Sequence, residues 1–401
     1  MLRHQLPVYS PLTASALGFA LGSAWRNGAV HREFLATHLT QTLGARRVLL
    51  TDSGTSALVL ALRILVGRDG TVAFPGYACI DLAAAARYAG VRVRLYDIDP
   101  ATLSPDLDSV ARVLKRGVGA VVVAHLHGFP ADVPAVAELA LAHGASVIED
   151  AAQAAGGTLQ GRPLGSFGAL TVLSFGRGKG LTGGGGGALL AITPDSAERL
   201  RSTNGFPSRT GWRDLAAATA QWSLGRPRLY AIPNAIPGLR LGEMVFHPAH
   251  EPRGISSAAA ALVRYSLSTA EEEVAVRRRN ASTLRATVGD SDGVAAIEPV
   301  CGGTPGYLRF PLRDLRNRAE VPRVGIVRGY PQTLEEQPEL RPCLHANEPS
   351  VPGATHLRRS LFTLPVHSHV TTRDLERAME WIRSPEGRAT TREAFTIAHP
   401  M

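Results

Sequence analysis

A chain of 401 residues, 45% hydrophobic and 19% charged, can build two or three packed domains and is not globally disordered. The formal charge of +9 is spread as single arginines, and the one dense run, Arg277-Arg278-Arg279, follows Glu271-Glu272-Glu273 as on a solvated helix face; this argues against nucleic-acid binding. Cys79, Cys301 and Cys343 are too few and too dispersed for a disulfide framework or a zinc site, which fits a reducing cytoplasm, and no apolar run is long enough to span a bilayer.

Residues 1–30 read as an N-terminal arm. Met1-Leu2-Arg3 and the apolar patch Ala14–Ala24 share the outline of an export signal, but Pro7, Ser10 and Pro11 interrupt it, and no clean apolar core precedes Ala24-Trp25-Arg26. The spacing of Phe34, Leu35, Leu39 and Leu43 predicts an amphipathic helix over 31–43, followed by a strand at 47–51. That strand ends in Asp52-Ser53-Gly54-Thr55-Ser56, and helical spacing resumes over 57–66. Strands at 71–74, 91–96, 120–124 and 146–149 then alternate with helices at 80–88, 107–114 and 133–143, which predicts a mostly parallel sheet covered by helices. Two more strands, 171–175 and 188–192, flank the tract Gly183–Gly187.

Regularity degrades over 193–255, where Pro227, Pro233 and Pro237 punctuate the apolar stretch Ala216–Leu241. A long helix is expected over 256–288, then strands at 307–310 and 360–364 and a helix at 372–382. The domain reading is an arm (1–30), a large domain (31–255, with 193–255 atypical) and a smaller C-terminal α+β domain (256–401).

Of the 43 basic residues only Lys115 and Lys179 are lysine. A guanidinium stays protonated, whereas a primary amine can lose its proton and condense with an aldehyde. Lys115 closes an amphipathic helix, where a C-terminal charge is reason enough for it. Lys179 sits in Ser174-Phe175-Gly176-Arg177-Gly178-Lys179, after a strand. There it is either a surface lysine in a glycine loop or a reactive amine, with Ser174 serving a phosphate. The Ser53-Gly54-Thr55-Ser56 turn is either an N-cap or an anion site. Asp150, in Glu149-Asp150-Ala151-Ala152-Gln153, either caps the next segment or holds a pyridine nitrogen protonated, with Gln153 near a ring oxygen. Gly183–Gly187 needs positive φ or close contact with a neighbour.

The order of these pieces resembles the DegT/DnrJ/EryC1/StrS family, sugar aminotransferases among the fold type I, aspartate aminotransferase-like enzymes that use pyridoxal phosphate (PLP). Supporting matches are Asp97-Ile98-Asp99, His125-Leu126-His127-Gly128, Gly161-Arg162 with Gly165-Ser166, and Leu364-Pro365-Val366-His367. The resemblance is strong over 33–192 and patchy beyond. It implies an α/β fold and an amino group passed from an amino-acid donor to a keto sugar, nucleotide-linked by default, in a homodimer sharing its sites. It also implies that Lys179 carries the cofactor as a Schiff base and moves the proton, and that Asp150 pairs with the ring nitrogen. Gln153 would lie by the ring oxygen, and Ser174 with Gly54, Thr55 and Ser56 would hold the phosphate. No metal is implied.

The chain also departs from the family. Cys79, in Phe74-Pro75-Gly76-Tyr77-Ala78-Cys79, stands where the family stacks an aromatic on the ring, so either the stack is thinner or Tyr77 substitutes. Gly185 stands where the family has glutamate, and the usual Asn-Tyr-Arg-Met segment is absent. Other PLP chemistry on an amino acid, such as carbon–carbon bond formation or elimination, is the second reading; a non-catalytic PLP-binding protein is the third.

Overall fold

The computed structural model describes residues 4–24, 28–203, 205–207, 209–227, 229–230 and 245–384. Met1–Arg3, Trp25, Arg26, Pro233 and Pro237 lie outside the described residues, with most of the apolar stretch after Leu229.

Helices α1 (Ala14–Ala24) and α2 (Gly28–Leu43) lead into β1 (Arg47–Thr51), α3 (Gly54–Leu65), β2 (Thr71–Pro75), α4 (Asp81–Ala89), β3 (Arg92–Tyr96), α5 (Leu107–Leu114), β4 (Ala120–Ala124), α6 (Val133–Ala142) and β5 (Ser146–Asp150). After the short β6 (Thr158–Leu159) and β7 (Arg162–Pro163) come β8 (Leu170–Ser174) and β9 (Gly187–Ala191). These elements give a seven-stranded sheet in the order β1-β9-β8-β5-β4-β2-β3. Every neighbouring pair is parallel except those made by β9, which is antiparallel to both β8 and β1.

The apolar run Ala120–Val123 shows why the sheet is covered on both faces. Ala120 and Val122 join one core with Leu58, Leu62 and Leu82 of α3 and α4. Val121 and Val123 join another with Val110, Val113 and Val136 of α5 and α6. All four are fully buried, and about 1.5–3 kcal/mol is gained for each such valine.

Beyond β9 follow α7 (Pro194–Arg201), α8 (Trp212–Leu224) and the 33-residue α9 (Ser257–Gly289). Ser256 caps α9 by accepting the Ala259 N–H. The first turns of α9 bury Ala258, Ala261 and Leu262 against Leu12, Ala16 and Ala20. Its last turns bury Ala281, Leu284 and Val288 against a second sheet. That sheet is built from β10 (Val294–Ala296), β12 (Phe310–Asp314), β13 (Val327–Arg328) and β14 (Leu361–Leu364), in the order β10-β12-β14-β13. The two-residue β11 (Gly303–Thr304) pairs with β6 instead. Helices α10 (Pro352–Ser360) and α11 (Thr372–Arg383) follow among the described residues, with Trp381 of α11 fully buried in this core.

The strand expected at 307–310 is displaced to Phe310–Asp314. Tyr307 has φ +49°, outside the extended region, because 305–309 turns against the main chain at Gly128 instead of pairing.

Candidate active site

Parallel strands collect ligands at their C-terminal ends. There β5 delivers Asp150, β8 delivers Ser174 and the turn after β1 delivers Gly54 and Thr55. One cleft is lined by Gly54, Thr55, Cys79, Asp150, Gln153, Ser174 and Lys179, together with Asp81, His125 and Tyr330.

The anion end comes from local structure. Ser53 caps α3 by accepting the Ser56 N–H at 3.0 Å, so the helix begins three residues before its apolar pattern does. A Cβ on Gly54 would stand 2.8 Å from the Cβ of Ser174, so that space stays open only because residue 54 is glycine. The start of α3, with its positive dipole end, lies beside two hydroxyls, those of Thr55 and Ser174. Ser56 is not among the cleft residues. Its hydroxyl donates to Asp52 Oδ1 at 2.7 Å and is 2% exposed, so it serves the cap.

Glu149 and Asp150 are neighbours on β5 and point to opposite sides. Glu149 is fully buried, and its oxygens accept from His125 Nε2 (2.8 Å), Gly165 N (2.6 Å), Phe167 N (2.8 Å), Gly168 N (2.9 Å) and Thr171 Oγ1 (3.4 Å). Burial alone would raise its pKa, but the bond from His125 and the backbone donors outweigh it and hold the carboxyl below its ordinary range. His125 accepts the Ala131 N–H at Nδ1 (3.0 Å), so its proton is on Nε2, facing Glu149. This pair braces the floor of the cleft.

Glu149→Gln is expected to destabilise the fold by about 3 kcal/mol, because an amide group then faces donors that need an acceptor. The native carboxyl titrates below the ordinary glutamate value. Its contribution is therefore full at neutral pH and lost as pH falls through that depressed value. Urea melts at pH 7 and pH 4 should show the gap between wild type and variant closing at the lower pH.

Asp150 faces the cleft, its Oδ1 accepting from Ala152 N at 3.0 Å. Burial raises its pKa, against the lowering effects of that bond and of the Lys179 charge. A cation placed beside it would remove the strain of an ionised buried acid. Gln153 Oε1 accepts the His127 N–H (2.9 Å), and Nε2 donates to Tyr330 Oη (2.8 Å), which leaves one amide hydrogen uncommitted. The Cys79 thiol donates toward Asp81 Oδ2 at 3.4 Å, and burial pushes it up to about 12, so it is neutral at physiological pH.

Tyr77 does not line the cleft. It is fully buried behind Tyr330, with ring centroids 5.2 Å apart and its hydroxyl accepting the Tyr330 N–H at 2.6 Å. It therefore does not substitute for the family's aromatic at the Cys79 position.

Lys179 lies in the connection from β8 to β9, residues 175–186. Gly184 and Gly186 in that connection have φ +71° and +106°. A side chain at Gly185 would run into the Asp214 carboxylate of α8, 2.8 Å from its Cβ, which explains the glycine there. Two cleft residues were not legible in the motifs. Asp81 opens α4 just beyond β2, where the reasoning that found Asp150 also applies. Tyr330 comes from the segment after β13, and only its place between Gly329 and Pro331 hinted at a turn.

The residues present fit PLP: an amine, a buried carboxyl for a protonated ring nitrogen, and an anion cradle that a Cβ would fill. The DegT/DnrJ/EryC1/StrS aminotransferase family model matches residues 14–383. Over 56% of its length the chain is 29% identical to dTDP-4-dehydro-2,3,6-trideoxy-D-glucose 4-aminotransferase of Saccharopolyspora spinosa, spanning 60% of that protein. Over 60% of its length it is 33% identical to L-glutamine:2-deoxy-scyllo-inosose aminotransferase of Streptomyces kanamyceticus, spanning 52% of that one. The chain thus spans less than two thirds of either curated relative. The crystal structure of the aminotransferase TlmJ from Streptoalloteichus hindustanus superposes with a TM-score of 0.73 at 25% identity, over 94% of this chain and 98% of that one.

Proposed function

The chain belongs to the DegT/DnrJ/EryC1/StrS aminotransferase family, and on that premise we propose a PLP-dependent aminotransferase moving an amino group from an amino-acid donor to a keto sugar or a comparable cyclic ketone. One observation carries this reading: Lys179, Asp150, Ser174 and the start of α3 line a single cleft. The named activities of the two curated relatives support both acceptor types, and the second names glutamine as donor.

Bound PLP supplies an aldehyde that stores the amino group between donor and acceptor, and a ring that draws electrons from the carbon losing its proton. Lys179 Nζ would hold the cofactor at its aldehyde carbon and, once released, would carry the proton at the reacting carbon. Asp150 would keep the ring nitrogen protonated. The N–H groups at Gly54 and Thr55, with the Thr55 and Ser174 hydroxyls, would bind the phosphate. Gln153 would offer its uncommitted amide hydrogen to the ring oxygen, and the neutral Cys79 thiol would take the place of a stacking aromatic.

A homodimer belongs to the same reading. An apolar cleft lined by Leu39, Leu43, Leu164, Leu267 and Val274 runs up to Ala152 and Ser174, so a second copy seated there would also wall the site. Three free cysteines fit a reducing cytoplasm.

The test uses the purified protein with added PLP. Borohydride reduction and mass spectrometry should find a pyridoxyl group on the peptide carrying Lys179. Incubation with L-glutamine or L-glutamate should bleach the visible band and release the matching keto acid. Bleaching without keto acid would favour other amino-acid chemistry, and a colourless protein with no adduct would refute the assignment.

A further inference from the structure

Before α1 begins, the N-terminal arm bonds to segments beside the C-terminal sheet and then to the β8–β9 connection. The Gln5 N–H donates to Arg323 O at 2.9 Å, and His367 Nε2 donates to Leu6 O at 3.0 Å. Tyr9 stacks on His369 with ring centroids 3.9 Å apart. These contacts tie the arm to the C-terminal sheet and its flanking segment. The next residue leaves that region and bonds to the turn that carries Lys179.

Ser10 is 1% exposed. Its hydroxyl donates to Lys179 O at 2.8 Å and accepts the Gly178 N–H at 3.0 Å. One side-chain oxygen thus bridges two peptide units, Arg177–Gly178 and Lys179–Gly180, that flank the Gly178–Lys179 linkage. Val8 seals the same turn: a Cβ on Gly178 would stand 2.7 Å from Val8 Cγ2. Within the turn Lys179 N has only a long bond to Gly176 O, 3.4 Å. Among the described residues, no other group from outside 175–186 bonds to the main chain of Gly178 or Lys179. The Gly178 N–H is buried and the Lys179 carbonyl partly so, and a lost bond to an enclosed main-chain group is felt in full.

From this geometry we infer that Ser10 is a positioning residue for Lys179: its hydroxyl fixes the main chain from which the reactive amine reaches the cleft. The inference rests on the assignment of Lys179 as the cofactor-bearing amine. A four-carbon side chain swings freely unless its Cα is held, and the reach of Nζ must be set to a fraction of an ångström for covalent chemistry. Among the described residues, the hydrogen bonds that Gly178 and Lys179 receive from outside the turn come from the arm, far away in sequence.

The test compares Ser10→Ala, Ser10→Thr and Tyr9→Ala in the full chain. Two readouts are used: tryptic cleavage after the exposed Arg177 in protein without cofactor, and the dissociation constant for PLP. Ser10→Ala should speed cleavage at Arg177–Gly178 and weaken PLP binding, each by about tenfold, the equivalent of one lost ordinary hydrogen bond. Ser10→Thr, which keeps the hydroxyl, should stay within about twofold of wild type in both. Tyr9→Ala loosens the arm from His369 but keeps the hydroxyl, and should move neither readout by more than about threefold. If Ser10→Ala does not fold, Ser10→Cys, a similar shape with a weaker donor, is read in its place. Unchanged cleavage and binding in Ser10→Ala, or equal shifts in Tyr9→Ala, would overturn the inference. A wild type without a Lys179 adduct would instead sink the cofactor assignment, while the tryptic comparison still reports whether Ser10 holds the turn.

Discussion

Lys179→Arg is expected to lower transamination by at least about 10³-fold and to abolish the borohydride-trapped adduct, with the melting temperature of the cofactor-free protein nearly unchanged. Arginine keeps the positive charge and most of the length, so the field felt by Asp150 and Cys79 survives. What disappears is a primary amine nitrogen that can bond to an aldehyde carbon. The chain uses arginine for nearly every other cation, which makes this substitution a sharp discriminator. Stopped-flow bleaching by glutamine, followed on wild type and variant under saturating PLP, measures it. Retention of activity within tenfold would remove Lys179 from the mechanism.

Asp150→Asn should cost about 10³-fold in the same half-reaction, since an amide cannot hold the ring nitrogen protonated. Its effect on stability has the opposite sign. Burial raises the Asp150 carboxyl above its ordinary value, so the native state binds this proton more tightly than the unfolded chain does. Between the ordinary aspartate value and the raised native one, stability falls as pH rises, and above that window the ionised buried acid remains a liability. Without cofactor, the asparagine variant should therefore melt higher than wild type at neutral pH and lose that advantage on acidification. With PLP bound the order should reverse, because only the carboxylate gains from the protonated ring. Thermal melts at pH 7 and pH 4.5, with and without PLP, read both signs. A variant less stable than wild type in the cofactor-free state at pH 7 would mean that Asp150 is already neutralised by some other partner.

Local pattern made the parallel core legible. Runs such as Ala120–Ala124 cannot be anything but buried strands once turn residues bound them, and the alternation with helical spacing dictated the sheet. Asp150 and Ser174 close strands and Lys179 lies five residues past one of them, and the structure gathers all three in one cleft. Ser56 was misplaced because a hydroxyl two residues into a phosphate turn reads the same whether it faces a ligand or its own cap; the Asp52 carboxylate decides the matter. Tyr77 was misplaced because its burial is caused by Tyr330, more than 250 residues later, and no spacing rule links the two. Tyr330 and Ser10 were invisible for the same reason. Each reaches its position through a contact between distant segments, which composition and periodicity do not encode. The strand at 307–310 slipped because Tyr307 takes a left-handed conformation, rare for an aromatic residue and forced by the close approach at Gly128.

The first turns of the 33-residue α9 pack against α1 and α8, and its last turns pack in the core of the C-terminal sheet. At 1.5 Å per residue it is a rod of about 50 Å. A rod gripped at both ends couples the packing around α1 to that of the C-terminal sheet. Tyr330 follows β13 in the chain yet packs in the core of the larger sheet beside Tyr77, so it keeps company with Gln153, Asp150 and Lys179. The aromatic wall of the cleft is thus anchored to the larger sheet, although the segment that supplies it arrives from the smaller one.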